Sequence, residues 1–172
     1  MKMLDFSPRP GAAALTGETY RPGMDLAEFA FAEQFLVWAT RAIHIGQARS
    51  EQPLCHLRLE SAFAAIDAPD ALPILQQFLG LLEIKFGRPL AAPCFKWRTL
   101  MADEARVLTL IAAFQTRGST DALAVLPKQL QQAGQQLAIC LHAAGLVLSP
   151  SKSPSPAGHS SGHWPEGMPL IH

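Results

Sequence analysis

The stretch Asp103 to Thr116, DEARVLTLIAAFQT, has a helical period but is apolar on nearly every side. At about 100° per residue, Val107, Leu108, Leu110, Ile111, Ala112, Ala113 and Phe114 are spread around the whole circumference. A helix of this kind must be surrounded by others, so it predicts a bundle with one central member.

The neighbours follow from the same patterning. A first helix is expected from the N-cap Asp25 to about Gln47. Its apolar positions, among them Phe29, Phe31, Phe35, Leu36, Trp38 and Ile43, cover an arc of about 200°. Opposite them stand Glu33, Gln34, Thr40, Arg41, His44 and Gln47. Such an arc exceeds the needs of one neighbour. It serves either two helices of the same bundle or, through Phe31, Phe35 and Trp38, a second chain.

After a break at residues 50–53 a short helix is expected, with Cys55, Leu59, Ala62, Phe63 and Ile66 on one stripe. Pro73 is tolerated only in a first turn, which sets the next helix start at Asp70. That helix runs to about Phe86, and Gly87 stops it. Arg88 to Met101 has two prolines and no helical period, so it is a long connection whose Leu90, Phe95, Trp97 and Leu100 offer their own packing. The central helix opens on Asp103 and Glu104, acids that suit a helix N-terminus. A short helix from Asp121 to Leu126 and a last one from Pro127 to Ala144 complete the set. In the last helix, Ala133 and Gly134 invite close approach to the central one.

The expected fold is therefore all-α: a single-domain helical bundle of four long and two short helices, with the central helix enclosed by the first, third and sixth. Residues 24–148 form the bundle domain. An irregular N-terminal arm precedes it at 1–23, and a Ser-, Pro- and Gly-rich tail at 149–172 is expected to be disordered.

Composition narrows the function without naming it. Of the 172 residues 49% are hydrophobic and only 16% charged, below the roughly 25% usual in soluble domains, which favours buried partners. Fourteen basic residues balance fourteen acidic ones, so no overall field draws the chain to nucleic acid or anionic lipid. No run approaches the roughly 18 apolar residues of a membrane span, and the N-terminus lacks a signal-peptide core. The chain reads as soluble and cytoplasmic, without a membrane partner. Its Ala- and Leu-rich composition resembles that of small helical bacterial proteins, and no family motif accompanies it.

Candidate chemistry is sparse. Cys55, Cys94 and Cys140 are far apart, with no CxxC pair, so neither zinc nor a disulfide framework is indicated. His142 is turned about 160° from Cys140 on a helical wheel. His44 reads as a solvated residue, and His159, His163 and His172 as part of a passive tail. Asp103 and Glu104 are the only adjacent acids, and helix placement explains them. No nucleophile-elbow, P-loop, dinucleotide-binding or HExxH motif occurs, so neither a cofactor nor a catalytic residue is expected.

Residues 103–126 have the coarse layout of a helix-turn-helix, but the second helix, DALAVL, lacks side chains for phosphates or bases. Phe95-Lys96-Trp97-Arg98 interleaves aromatics with cations. It reads either as a partner contact or as a loop with Phe95 and Trp97 packed beneath the bundle and the cations outward. The functional expectation is a non-enzymatic interaction or adaptor protein, self-association as a homodimer included. Phe31, Phe35, Trp38, Phe95, Trp97 and Arg98 are its candidate contacts. A DNA-binding regulator using 103–126 is the first alternative, and a ligand-binding or enzymatic bundle the second.

Overall fold

The computed structural model of the chain describes residues 20–48, 52–116 and 121–148. Within them the fold is all-α. The helices are α1 (Phe31–Ala48), α2 (Gln52–Ala65), α3 (Ala71–Phe86), α4 (Ala102–Gln115), α5 (Asp121–Ala124) and α6 (Lys128–Ala143). The expected short second helix is in fact as long as α4, 14 residues each, so five helices are full-length and only α5 is short. The expectations for residues 1–19 and 149–172 lie outside the described residues.

The first helix departs most from its expected start. Asp25 does act as a cap, its Oδ1 accepting from the Ala27 N–H at 2.9 Å, but what it caps is a 3-10 turn at Leu26–Glu28. Phe29 then takes an extended step (φ −83°, ψ 155°) before α1 begins. Tertiary contacts hold that step. The Phe29 ring meets Tyr20 at 5.9 Å, and the Phe29 carbonyl accepts from the Gln34 side chain at 2.8 Å. Tyr20 is itself buried, so the end of the arm belongs to the core.

Residues 23–26 also pair with the connection between α3 and α4. The N–H of Gly23 donates to the Leu100 carbonyl, that of Leu100 to Met24, and that of Leu26 to Arg98, around an antiparallel bridge between Asp25 and Thr99. Two extended segments are thereby stitched together in a helical protein.

α3 ends as expected at Gly87, whose φ of +66° is the left-handed conformation that glycine adopts at least cost. Asp70 stands at its start, without a side-chain capping bond.

α4 is buried along most of its length, including Val107, Leu108, Leu110, Ile111, Ala112 and Phe114. It packs against α1 and α6; α6 packs in turn against α3, and α1 against α2. α3 reaches α4 through an edge-to-face contact of Phe78 with Phe114, at 6.4 Å and 82°. α6 can serve both neighbours because its inner stripe is small: Ala133, Gly134 and Ala138 are buried there. The Phe114 ring occupies the space where a Cβ on Gly134 would stand.

The described chain ends in a return stretch. Leu146 and Leu148 are buried, and the Gln115 side chain fixes them, donating to the Leu146 carbonyl and accepting from the Leu148 N–H, each at 2.8 Å. No described helix is long and apolar enough to cross a membrane.

Candidate interaction surface

The two acids that open α4 are buried with it, which the helix dipole alone does not explain. A carboxylate moved out of water needs partners. Each acid has recruited its own.

Glu104 receives Arg41 from α1 in a two-pronged pair, Nε to Oε1 at 2.6 Å and Nη2 to Oε2 at 2.9 Å. It also accepts the Met101 N–H at 2.9 Å, closing the first turn of its own helix. Arg41 has donors to spare, and these go to the connection: Nη1 to the Trp97 carbonyl at 2.5 Å and Nη2 to that of Thr99 at 3.2 Å. The Trp97 and Thr99 carbonyls are two residues apart, on the edge of the extended segment opposite the one paired with residues 23–26.

Asp103 holds the other end of the same connection. Arg88 binds it with both terminal nitrogens, at 2.7 and 2.8 Å, and the Ala91 N–H adds a bond at 2.8 Å. Arg106 approaches at 3.3 Å while its guanidinium lies 5.6 Å from the centre of the Phe86 ring. A third clamp uses Glu83, whose Oε1 accepts the Leu90 N–H at 3.0 Å and lies 3.1 Å from His44 Nε2. His44 Nδ1 donates to the Thr40 carbonyl at 2.8 Å. His44 is therefore a bridge between α1 and α3, not the solvated residue expected.

The Arg88 hydrogen bonds hold the Asp103 carboxyl below the usual carboxylate range. The Ala91 N–H and the charges of Arg88 and Arg106 act in the same direction, while burial opposes them. In return Asp103 raises Arg88. At the other end of α1, burial first and then Glu33 push the Tyr20 hydroxyl upward; Tyr20 donates to Glu33 Oε1 at 3.1 Å.

The lowered Asp103 value fixes the sign of a pH effect. A group more acidic in the folded chain contributes stability above its unfolded value, about 3.9, and loses it as pH falls through the folded value. Asp103→Asn is therefore expected to be less stable than the parent at pH 7, with the difference shrinking below about pH 4. Urea unfolding at a series of pH values checks this. A constant difference across the series would mean that the Asp103 charge does not hold the clamp.

The six candidate contacts fall into two groups. On α1, Phe35 is only 1% exposed and joins Phe31, Trp38 and Phe63 of α2 in one ring cluster. Phe35 thus supports that face from beneath, while Phe31 keeps an exposed side and Trp38 is half-buried. On the connection, Phe95 is half-buried and Arg98 exposed. Trp97 does not pack beneath the bundle: it is 50% exposed.

The other candidates are dispersed. Cys94 is exposed, Cys140 half-buried and His142 exposed, while the Cys55 side chain lies outside the described residues. Among the described residues no three His, Cys, Asp or Glu side chains gather to hold a metal ion. In the helix-turn-helix layout, α4 is enclosed, the turn at 117–120 lies outside the described residues, and α5 is a single turn.

Sequence patterning missed the polar layer because Glu33, Thr40 and Arg41 were assigned to a solvent face and all three are buried. One signal was available. Adjacent acids at the mouth of an otherwise apolar, enclosed helix need cations, and Arg41 and Arg88 stand on the flanking elements. Comparison of the chain with protein-family models, with curated proteins and with solved structures gives no match.

Proposed function

We propose that this chain is a non-enzymatic helical interaction protein that presents Trp97, between Lys96 and Arg98, to an acidic segment of a protein partner. The observation that carries this reading is the contrast within one residue: the Trp97 carbonyl is fastened by buried Arg41, and its indole stands half in solvent. Tryptophan and arginine dominate the energetics of interfaces, and a contact residue held in place before binding loses little freedom on association. Lys96 and Arg98 are exposed on either side and would select a partner of negative charge.

The test is a photo-cross-linking residue at position 96 of the full chain, expressed in its native host. An adduct that forms with Trp97 present and disappears in Trp97→Ala is the expected result. An adduct of twice the chain's own mass, lost in the same variant, would identify the partner as a second copy. Adducts insensitive to Trp97→Ala, or formed equally from position 77 on α3, would overturn the reading.

A further inference from the structure

The cation cluster at the junction of α3 and α4 contains one more arginine than its carboxylate needs. Arg88 already satisfies both Asp103 oxygens, and the Ala91 N–H takes a further place on Oδ2. Arg106 is nevertheless drawn to Oδ1 at 3.3 Å and stays over the Phe86 ring. Both guanidiniums now sit on one oxygen, so their nearest nitrogens are no farther apart than the sum of 2.8 and 3.3 Å.

Each arginine carries five N–H donors. Arg88 spends two on Asp103 and one on the Pro89 carbonyl, and Arg106 spends one on Asp103. The remaining donors have no acceptor among the described residues. The two side chains are 49% and 57% exposed, whereas the carboxylate between them is buried. Two cations sharing one anion leave a net positive charge at the surface, with the guanidiniums held close despite their repulsion.

We infer that Arg88 and Arg106 form a binding site for a phosphate-type oxyanion. A tetrahedral oxyanion would place one oxygen on each guanidinium and relieve the repulsion between them. Asp103 positions the pair from below, and Phe86 fixes the plane of Arg106. This site is independent of the Trp97 surface and does not rest on that reading.

The test is NMR of the arginine Nε–H signals of the full chain during titration with inorganic phosphate at constant ionic strength. O-phosphoserine and acetate form parallel arms. Saturable shifts of the Arg88 and Arg106 signals are expected with phosphate. Tighter binding of O-phosphoserine would assign the site to a phosphoryl group on a larger molecule, and tighter binding of inorganic phosphate to the free ion. Arg106→Gln leaves the Arg88–Asp103–Ala91 clamp intact, so its melting temperature should match the parent while phosphate binding weakens about tenfold or more. Shifts that do not saturate, that acetate reproduces, or that persist unchanged in Arg106→Gln would overturn the inference.

Discussion

Replacing Arg41 by alanine is expected to lower the stability of the folded chain by about 3–5 kcal/mol, the usual effect of removing one partner from a buried ion pair. Glu104 would be left in the core with only the Met101 N–H, and the Trp97 and Thr99 carbonyls would lose their donors. Urea unfolding measures the loss, and the indole N–H signal of Trp97 reports whether the connection has moved. The double replacement Arg41→Met with Glu104→Leu separates the two consequences. It removes both buried charges, so most of the stability should return. The Trp97 signal should remain displaced, because the carbonyls still lack a donor. A loss below about 1 kcal/mol in Arg41→Ala would place the pair among weak surface bridges.

The second large effect concerns Gly134. A Cβ built there would lie 2.1 Å from Cε2 of Phe114 and 2.6 Å from its Cζ. Phe114 abuts Phe78, which is fully buried, so the ring cannot retreat without moving a second aromatic. Gly134→Leu is expected to destabilise by about 1–3 kcal/mol or more through overpacking. Gly80 provides the control, because a Cβ there meets nothing within 4 Å. Gly80→Ala should stabilise by about 0.5–1 kcal/mol through helix propensity. Phe114→Ala alone should cost about 3–5 kcal/mol, yet in the Gly134→Leu background it should restore stability, since the leucine refills the vacated volume. Thermal unfolding of the four variants suffices, and additive losses at 114 and 134 would refute the contact.

Much of the bundle was legible in the sequence because its signals are local and periodic. Pro73 and Gly87 bound α3, and the enclosure of α4 followed from its apolar circumference. The small residues of α6 announced the close contact that Gly134 makes with Phe114. The start of α1 was not legible, because Asp25 is a good cap wherever a helical turn begins. What ends that turn after Glu28 is pairing with residues 98–100, more than seventy positions away. The polar layer was hidden for a related reason. A helical wheel sorts Arg41 by its angle on α1, and the fate of that angle depends on Glu104 of another helix. Trp97 was misjudged as a packing residue because alternation along an extended segment has two phases. The choice between them was made by the Arg41 bonds to the Trp97 and Thr99 carbonyls.

Those bonds have one more consequence. An extended segment with an open edge is a template on which another chain can add a strand. Here residues 23–26 cover one edge of the segment, and the guanidinium of Arg41 occupies two carbonyls of the other. A single arginine thereby acts as a stopper against strand-by-strand association, so the one β-like element in a helical protein can display its side chains without recruiting a copy of itself.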